Sequence, residues 1–152
     1  MLKNELKILI TGGGSGGHFS VAKSLIDTLI SDYNIPIENI TYVGGDLGME
    51  GEKTGNSLEQ KQFKNAEFKT FYIRAGKLQR KISTQTLPLL LRSLLGFLDA
   101  ISILKKVKPT FVISSGGFVS VPVCLAARIF RKPIYLHEQT ATVGLANKIV
   151  GK

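Results

Sequence analysis

His18 stands directly behind Gly12-Gly13-Gly14-Ser15-Gly16-Gly17, a run in which five of six residues are glycine. Glycine lets the backbone take angles closed to other residues and leaves no side chain between the amides and a ligand. A helix opening there adds unpaired N–H groups and a partial positive charge, which suits an anion such as phosphate. An imidazole at the mouth of such a pocket can take a proton near pH 7 or touch the anion itself. Two further stretches carry comparable types: the glycine pair Gly116-Gly117, and His137-Glu138-Gln139. No cluster of metal ligands is visible, and no metal or cofactor is expected. Cys124 is the only cysteine; it lies among small apolar residues and reads as a buried structural thiol.

Gly12, Gly14 and Gly17 satisfy G-x-G-x-x-G, a pattern that glycine-rich runs meet easily. The phosphate-binding loop of nucleotide hydrolases is excluded, because His18 and Phe19 stand where Lys and Ser or Thr are needed. A dinucleotide site also wants an acidic residue about 20 residues on; Asp46 comes late for that role. A nucleotide- or dinucleotide-binding module stays open as a rival reading, and so does a tight turn that needs glycine only for packing.

The elements that position these residues alternate. Leu6–Ile10 reads as a buried strand running through the glycine loop into a helix over Phe19–Leu29. Ile40–Val43 is a second strand, Leu47–Leu58 a short helix and then a loop, and Phe68–Ile73 a third strand. Thr86–Lys106 is a long helix with Pro88 in its first turn and Lys105 and Lys106 at its end. Its residues Leu87, Leu90, Leu91, Leu94, Leu95, Leu98, Ile101 and Leu104 share one face, read as the face packed on the sheet, with Arg92, Gly96 and Asp99 opposite. Thr110–Ser114 is a fourth strand, Val119–Phe130 a helix, Lys132–Leu136 a fifth strand, and Leu145–Val150 begins a last helix. This alternation predicts an α/β fold, a Rossmann-like doubly wound parallel sheet in one domain over residues 1–152. The commonest winding gives strand order 3-2-1-4-5, which sets both glycine loops and His137-Glu138 at one crevice beyond the carboxyl ends of the strands. His137 itself reads as a satisfied core histidine.

The chain of 152 residues carries a formal charge of +9. That excess favours an acidic partner, a phosphate ligand or an anionic membrane surface; no nucleic-acid module is visible, and no nucleic-acid partner is expected. Arg74, Lys77, Arg80 and Lys81 surround Leu78, Ile82 and Leu89, a mixture that suits an anionic lipid surface and equally describes a solvated basic loop. No secretory leader and no apolar run long enough to span a bilayer is present, so a cytoplasmic location is expected.

Thr11–His18, Gly45–Glu50, Ser115-Gly116-Gly117-Phe118-Val119-Ser120, His137-Glu138-Gln139 and Gly144-Leu145-Ala146-Asn147-Lys148 together resemble the amino-terminal half of the MurG family. The resemblance covers almost the whole chain. It implies a GT-B glycosyltransferase that moves N-acetylglucosamine from UDP-GlcNAc, with inversion, to a polyprenyl-diphosphate-linked muramoyl-pentapeptide (lipid I) in peptidoglycan synthesis, at the cytoplasmic face of the membrane as a peripheral protein. It implies that this half holds the acceptor, with the diphosphate at Gly13, Gly14, Ser15, Gly16, Gly17, Gly116 and Gly117. His18 becomes the base or a diphosphate contact, Glu138 and Gln139 acceptor contacts, and the patch from Arg74 to Leu89 the membrane contact. Glu138 could equally tie down its own loop. Thr140 replaces a usual Asn, Val21 a usual Pro and Val121 a common Gly. Family members continue into a second domain that binds the UDP-sugar, so the 152 residues alone are expected not to catalyse; an acceptor subunit of a split lipid-linked transferase fits the same features, and a regulatory protein that only binds membrane is a further alternative.

Overall fold

The computed structural model describes residues 5–47, 55–75 and 86–151, with the side chains of 86–90 outside that description. Glu50, Lys77, Leu78, Arg80, Lys81, Ile82 and the side chains of Leu87, Pro88, Leu89 and Leu90, all named above, therefore lie outside the described residues.

Five short strands, β1 (Ile8–Thr11), β2 (Ile40–Gly45), β3 (Lys69–Ile73), β4 (Phe111–Ser114) and β5 (Ile134–Leu136), form one parallel sheet in the order β3-β2-β1-β4-β5. This is the expected order. The central strand β1 is Ile-Leu-Ile-Thr and is buried along its whole length. Its side chains alternate between layers, because successive residues of a strand face opposite ways. Leu9 joins Val43, Ile73 and Val112 on one side, whereas Ile8 and Ile10 join Ile40 and Tyr42 on the other. Each such side chain, fully buried, stabilises the fold by about 1.5–3 kcal/mol, so β1 fixes the centre of the sheet and thereby the place where its carboxyl end delivers Gly12.

Helix α1 (Gly16–Ser31) covers the second layer through Phe19, Ala22 and Ile26, and α2 (Leu58–Gln62) lies beside it. Helices α3 (Thr86–Val107) and α4 (Ser120–Ile129) cover the first layer, with α5 (Leu145–Val150) packed on α4 through Val150, Val121 and Cys124. Burial pushes the Cys124 thiol up to about 12, opposed by a hydrogen bond with Ser114, which leaves it protonated and inert.

Of the stretch Leu47–Leu58, read as a short helix and then a loop, residues 48–54 lie outside the described residues, and helix α2 starts at Leu58. Ser57 caps it: Gln60 N donates to Ser57 Oγ (3.2 Å) and Ser57 N to Gln60 Oε1 (3.0 Å), a reciprocal capping box. One expectation is corrected for α3: among the described residues its leucine face is turned outwards from Leu91 to Leu98 and meets the core, as expected, at Ile101 and Leu104. Leu91, Leu94, Leu95 and Leu98 are 56%, 57%, 41% and 51% exposed, while Gly96, Ala100, Ile103 and Leu104 face inwards. The polar side decides this. Arg92 pairs with Asp46 at the end of β2, and the Arg74 guanidinium after β3 forks onto Asp99 through Nε (2.9 Å) and Nη2 (2.6 Å). Between them Gly96 lies against the Arg74 carbonyl, so close that a Cβ there would sit 2.0 Å from its oxygen.

Candidate active site

The carboxyl ends of β1 and β4 are neighbours, and both glycine loops open from them, as expected. Ser115 N donates to Thr11 O (2.9 Å), and Gly13 N reaches Gly116 O at 3.4 Å. The two turns touch through bare backbone. Gly117, at φ +86°, lies so near the first loop that a Cβ would be 2.2 Å from Gly13 O, and Gly14, at φ +79°, would collide with the Phe118 ring at 1.9 Å. Glycine is required at both positions for conformation and for room.

The first loop rests on two buried groups that sequence reasoning missed. Glu59, 1% exposed, accepts the Gly14 N–H on Oε1 at 2.6 Å, and the Tyr42 hydroxyl donates to Gly12 O at 2.6 Å. Burial, and then the nearby Glu59 charge, pushes the Tyr42 phenol well above its ordinary value, so it remains a donor. The capping signature Ser57-Leu58-Glu59-Gln60 was the signal that a helix begins here. With the Gly14 N–H already bonded, the N–H groups this loop offers are those at the start of α1. There the first N–H groups of a helix have no partner within it, and the Ser15 side chain makes no capping bond.

Gly13, Gly14, Ser15, His18, Gly116, Gly117 and Glu138 line a cavity of about 360 Å³, together with Phe118, Gly144, Leu145, Ala146 and Asn147. Gly16 and Gly17 lie in the first turn of α1, outside that lining, and Gln139 stands next to the imidazole.

His18 is held from below. Its Nδ1 lies 2.8 Å from Ser115 O, and the Ser115 hydroxyl donates to His18 O at 2.8 Å. A carbonyl oxygen only accepts, so Nδ1 carries the ring hydrogen and Nε2 of the neutral ring keeps a lone pair. Gln139 lies with its amide 3.1 Å from the same Nδ1. Since Nδ1 is the donor, the amide is assigned with its oxygen towards the ring, a half-turn about the terminal bond.

Glu138 is engaged on both oxygens. Oε1 accepts from Thr140 N (3.1 Å) and Thr140 Oγ1 (2.7 Å), and Oε2 from Gly144 N (2.8 Å) and Asn147 Nδ2 (3.0 Å). These bonds, that from Gly144 first, lower its pKa to about 2 against the opposing effect of desolvation. The loop from His137 to Gly144 is thereby closed around one carboxylate. His137, expected in the core, is exposed; its carbonyl accepts from Asn147 Nδ2 (3.1 Å), and its side chain borders a shallow cavity with Ser20, Ser24 and Thr28 of α1.

Asp46, weighed as a ribose ligand, is committed to Arg92. Of the basic and apolar patch, Arg74 is described, and its guanidinium is paired with Asp99, which it holds below the usual carboxylate range through a side-chain hydrogen bond. No helix among the described residues is long and apolar enough to cross a membrane.

Comparison with known proteins gives a consistent result. The glycosyltransferase family 28 N-terminal domain matches residues 8–152. A UDP-N-acetylglucosamine--N-acetylmuramyl-(pentapeptide) pyrophosphoryl-undecaprenol N-acetylglucosamine transferase of Staphylococcus aureus (strain MRSA252) is 42% identical over 146 residues, which cover 96% of this chain and 38% of the relative. The protein of the same name from Caldicellulosiruptor saccharolyticus is 38% identical over 152 residues, covering 100% of this chain and 38% of that protein. The crystal structure of Acinetobacter baumannii MurG superposes with a TM-score of 0.70 at 21% identity, over 95% of this chain and 38% of that one. This chain thus spans 38% of the length of these relatives.

Proposed function

The chain belongs to the glycosyltransferase family 28 N-terminal domain family, and from that premise we propose that residues 1–152 are the acceptor-binding unit of an inverting N-acetylglucosaminyltransferase. Its substrates are those in the relatives' names: UDP-GlcNAc as donor and a polyprenyl-diphosphate-linked N-acetylmuramyl-pentapeptide as acceptor. The observation that carries this reading is the meeting of two glycine loops in one cavity with His18 between them. The acceptor diphosphate lies against Gly13, Gly14, Ser15, Gly116 and Gly117, and takes its hydrogen bonds chiefly from the N–H groups at Gly16, Gly17 and His18. Binding of the UDP-sugar is assigned mainly to sequence outside these 152 residues.

In the transfer, an acceptor hydroxyl attacks the anomeric carbon of the donor sugar and UDP departs with the bonding electrons. The hydroxyl proton passes to Nε2 of His18, whose Nδ1–H bond to Ser115 O fixes the lone pair and steadies the imidazolium that forms. Gln139 supports the same charge, and Glu138 holds the loop that walls the cavity.

The membrane contact is the basic stretch from Arg74 through Lys77, Leu78, Arg80, Lys81 and Ile82 to Leu89, extended by the outward leucines of α3. Each basic residue near anionic lipid contributes about 1 kcal/mol, which supports a peripheral position at the cytoplasmic membrane face. Titration of the purified chain tests the reading: it should bind a prenyl diphosphate in anionic vesicles and should not bind NAD. Tight NAD binding without lipid, or turnover of UDP-GlcNAc by these 152 residues alone, would overturn it.

A further inference from the structure

Asn147 is 6% exposed and lines the cavity, yet its Oδ1 is buried without a partner among the described residues. Which end of the amide is left unpaired is settled by its neighbours. The other end meets two groups that only accept, the His137 carbonyl at 3.1 Å and Glu138 Oε2 at 3.0 Å. A carboxylate and a carbonyl both demand a donor, so Nδ2 must point to them and Oδ1 away. The oxygen then borders the space above Gly116: a Cβ built on that glycine would lie 3.6 Å from Asn147 Oδ1 and 3.1 Å from His18 Cε1. A buried acceptor left unpaired costs free energy that a ligand's donor recovers.

We infer that Asn147 Oδ1 receives a hydrogen bond from the acceptor's sugar, from a hydroxyl or an acetamido N–H, and so helps to set the sugar beside His18. The diphosphate has no hydrogen to give near neutral pH, so Oδ1 selects for the sugar and is indifferent to its anchor. This inference rests on the acceptor-binding reading above and adds a sugar-selecting residue to it.

The test measures binding of wild type and Asn147→Ala to three probes: a short prenyl diphosphate, the same lipid carrying N-acetylmuramic acid, and the same lipid carrying a sugar with its hydroxyls methylated and no acetamido group. Expected is a loss of about tenfold for the N-acetylmuramoyl probe in Asn147→Ala, the scale of one neutral hydrogen bond. The other two probes should bind both chains alike, so that removing the amide and removing the sugar's donors are not additive. A fourth probe with its hydroxyls free and its acetamido nitrogen methylated separates the donors: a retained loss assigns a hydroxyl, an abolished one the N–H. Equal weakening of all probes would make Asn147 a loop tie alone, and no weakening, or additive losses, would also overturn the inference. Failure of the wild type to bind even the plain prenyl diphosphate would instead sink the acceptor-binding reading, and this inference with it.

Discussion

His18 and Ser115 hold each other in both directions: the imidazole Nδ1 meets the Ser115 carbonyl, and the Ser115 hydroxyl donates to the His18 carbonyl, each at 2.8 Å. One residue lies in the first turn of α1 and the other directly follows β4, so this pair ties the two glycine loops together. It also selects the tautomer. A ring pinned at Nδ1 can present only Nε2 to a ligand.

The neutral ring should therefore be the Nδ1–H tautomer, read directly from the two-bond nitrogen–proton correlations of labelled protein. A dominant Nε2–H form would remove the case for His18 as a base. Ser115→Ala should cost about 1 kcal/mol of stability in urea unfolding, the typical net worth of one hydrogen bond.

Glu59 should behave as a brace for the diphosphate loop. Removing its carboxylate in Glu59→Ala leaves the Gly14 N–H buried without an acceptor, a loss of about 2–3 kcal/mol. Glu59→Gln keeps an oxygen for that amide and should lose about half as much or less. Equal losses in the two variants, measured by denaturant unfolding, would show that the bond to Gly14 is not what Glu59 provides.

The Glu138 carboxyl gives a pH dependence with a definite sign. Its folded pKa, about 2, is below the ordinary 4.5 of an unfolded glutamate, so the folded state favours the ionised form. Its contribution is complete above about pH 4.5 and is lost as pH falls towards 2. The stability difference between wild type and Glu138→Gln should be flat from pH 6 to 8 and shrink steadily below about 4.5. A difference that grew on acidification would contradict the hydrogen bonding of this loop.

The exposed leucines of α3 should matter for lipid and not for folding. Replacing Leu94 and Leu98 together by Gln should weaken binding to anionic vesicles by about tenfold or more, because each apolar side chain taken out of water is worth about 1.5–3 kcal/mol when fully buried and a share of that when partly buried, while binding of a soluble prenyl diphosphate stays as it was. Unchanged vesicle binding would remove this helix from the membrane contact.

The strand order and the convergence of the glycine loops were legible because they depend on local pattern: buried runs such as Ile8-Leu9-Ile10, each ending in glycine, and the fixed handedness of their connections. Glu59 was hidden for the opposite reason. Its bond to Gly14 spans 45 residues, and nothing in the composition of α2 says which loop a carboxylate will meet. The tie from Asn147 to Glu138 lies within one short stretch, yet it uses one end of the amide, Nδ2, and which end points where is not written in a sequence.

Helix α3 shows where periodicity misleads, and two substitutions separate the pattern from the structure. If the leucine stripe were the core face, Leu94→Gln would be costly and Gly96→Ala would gain about 1 kcal/mol from helix propensity. With Leu94 57% exposed, Leu94→Gln should instead stay within about 0.5 kcal/mol of wild type. Gly96→Ala should destabilise by about 2 kcal/mol or more, as overpacking does, because the added methyl would stand 2.0 Å from the Arg74 carbonyl oxygen. That oxygen belongs to backbone anchored by the Arg74 N–H bond to Asp99 at 3.1 Å and by the guanidinium fork beside it. The helix cannot retreat without parting Arg92 from Asp46 as well. Thermal unfolding of the two variants decides between the faces, since a stabilised Gly96→Ala is compatible only with a helix rolled the other way.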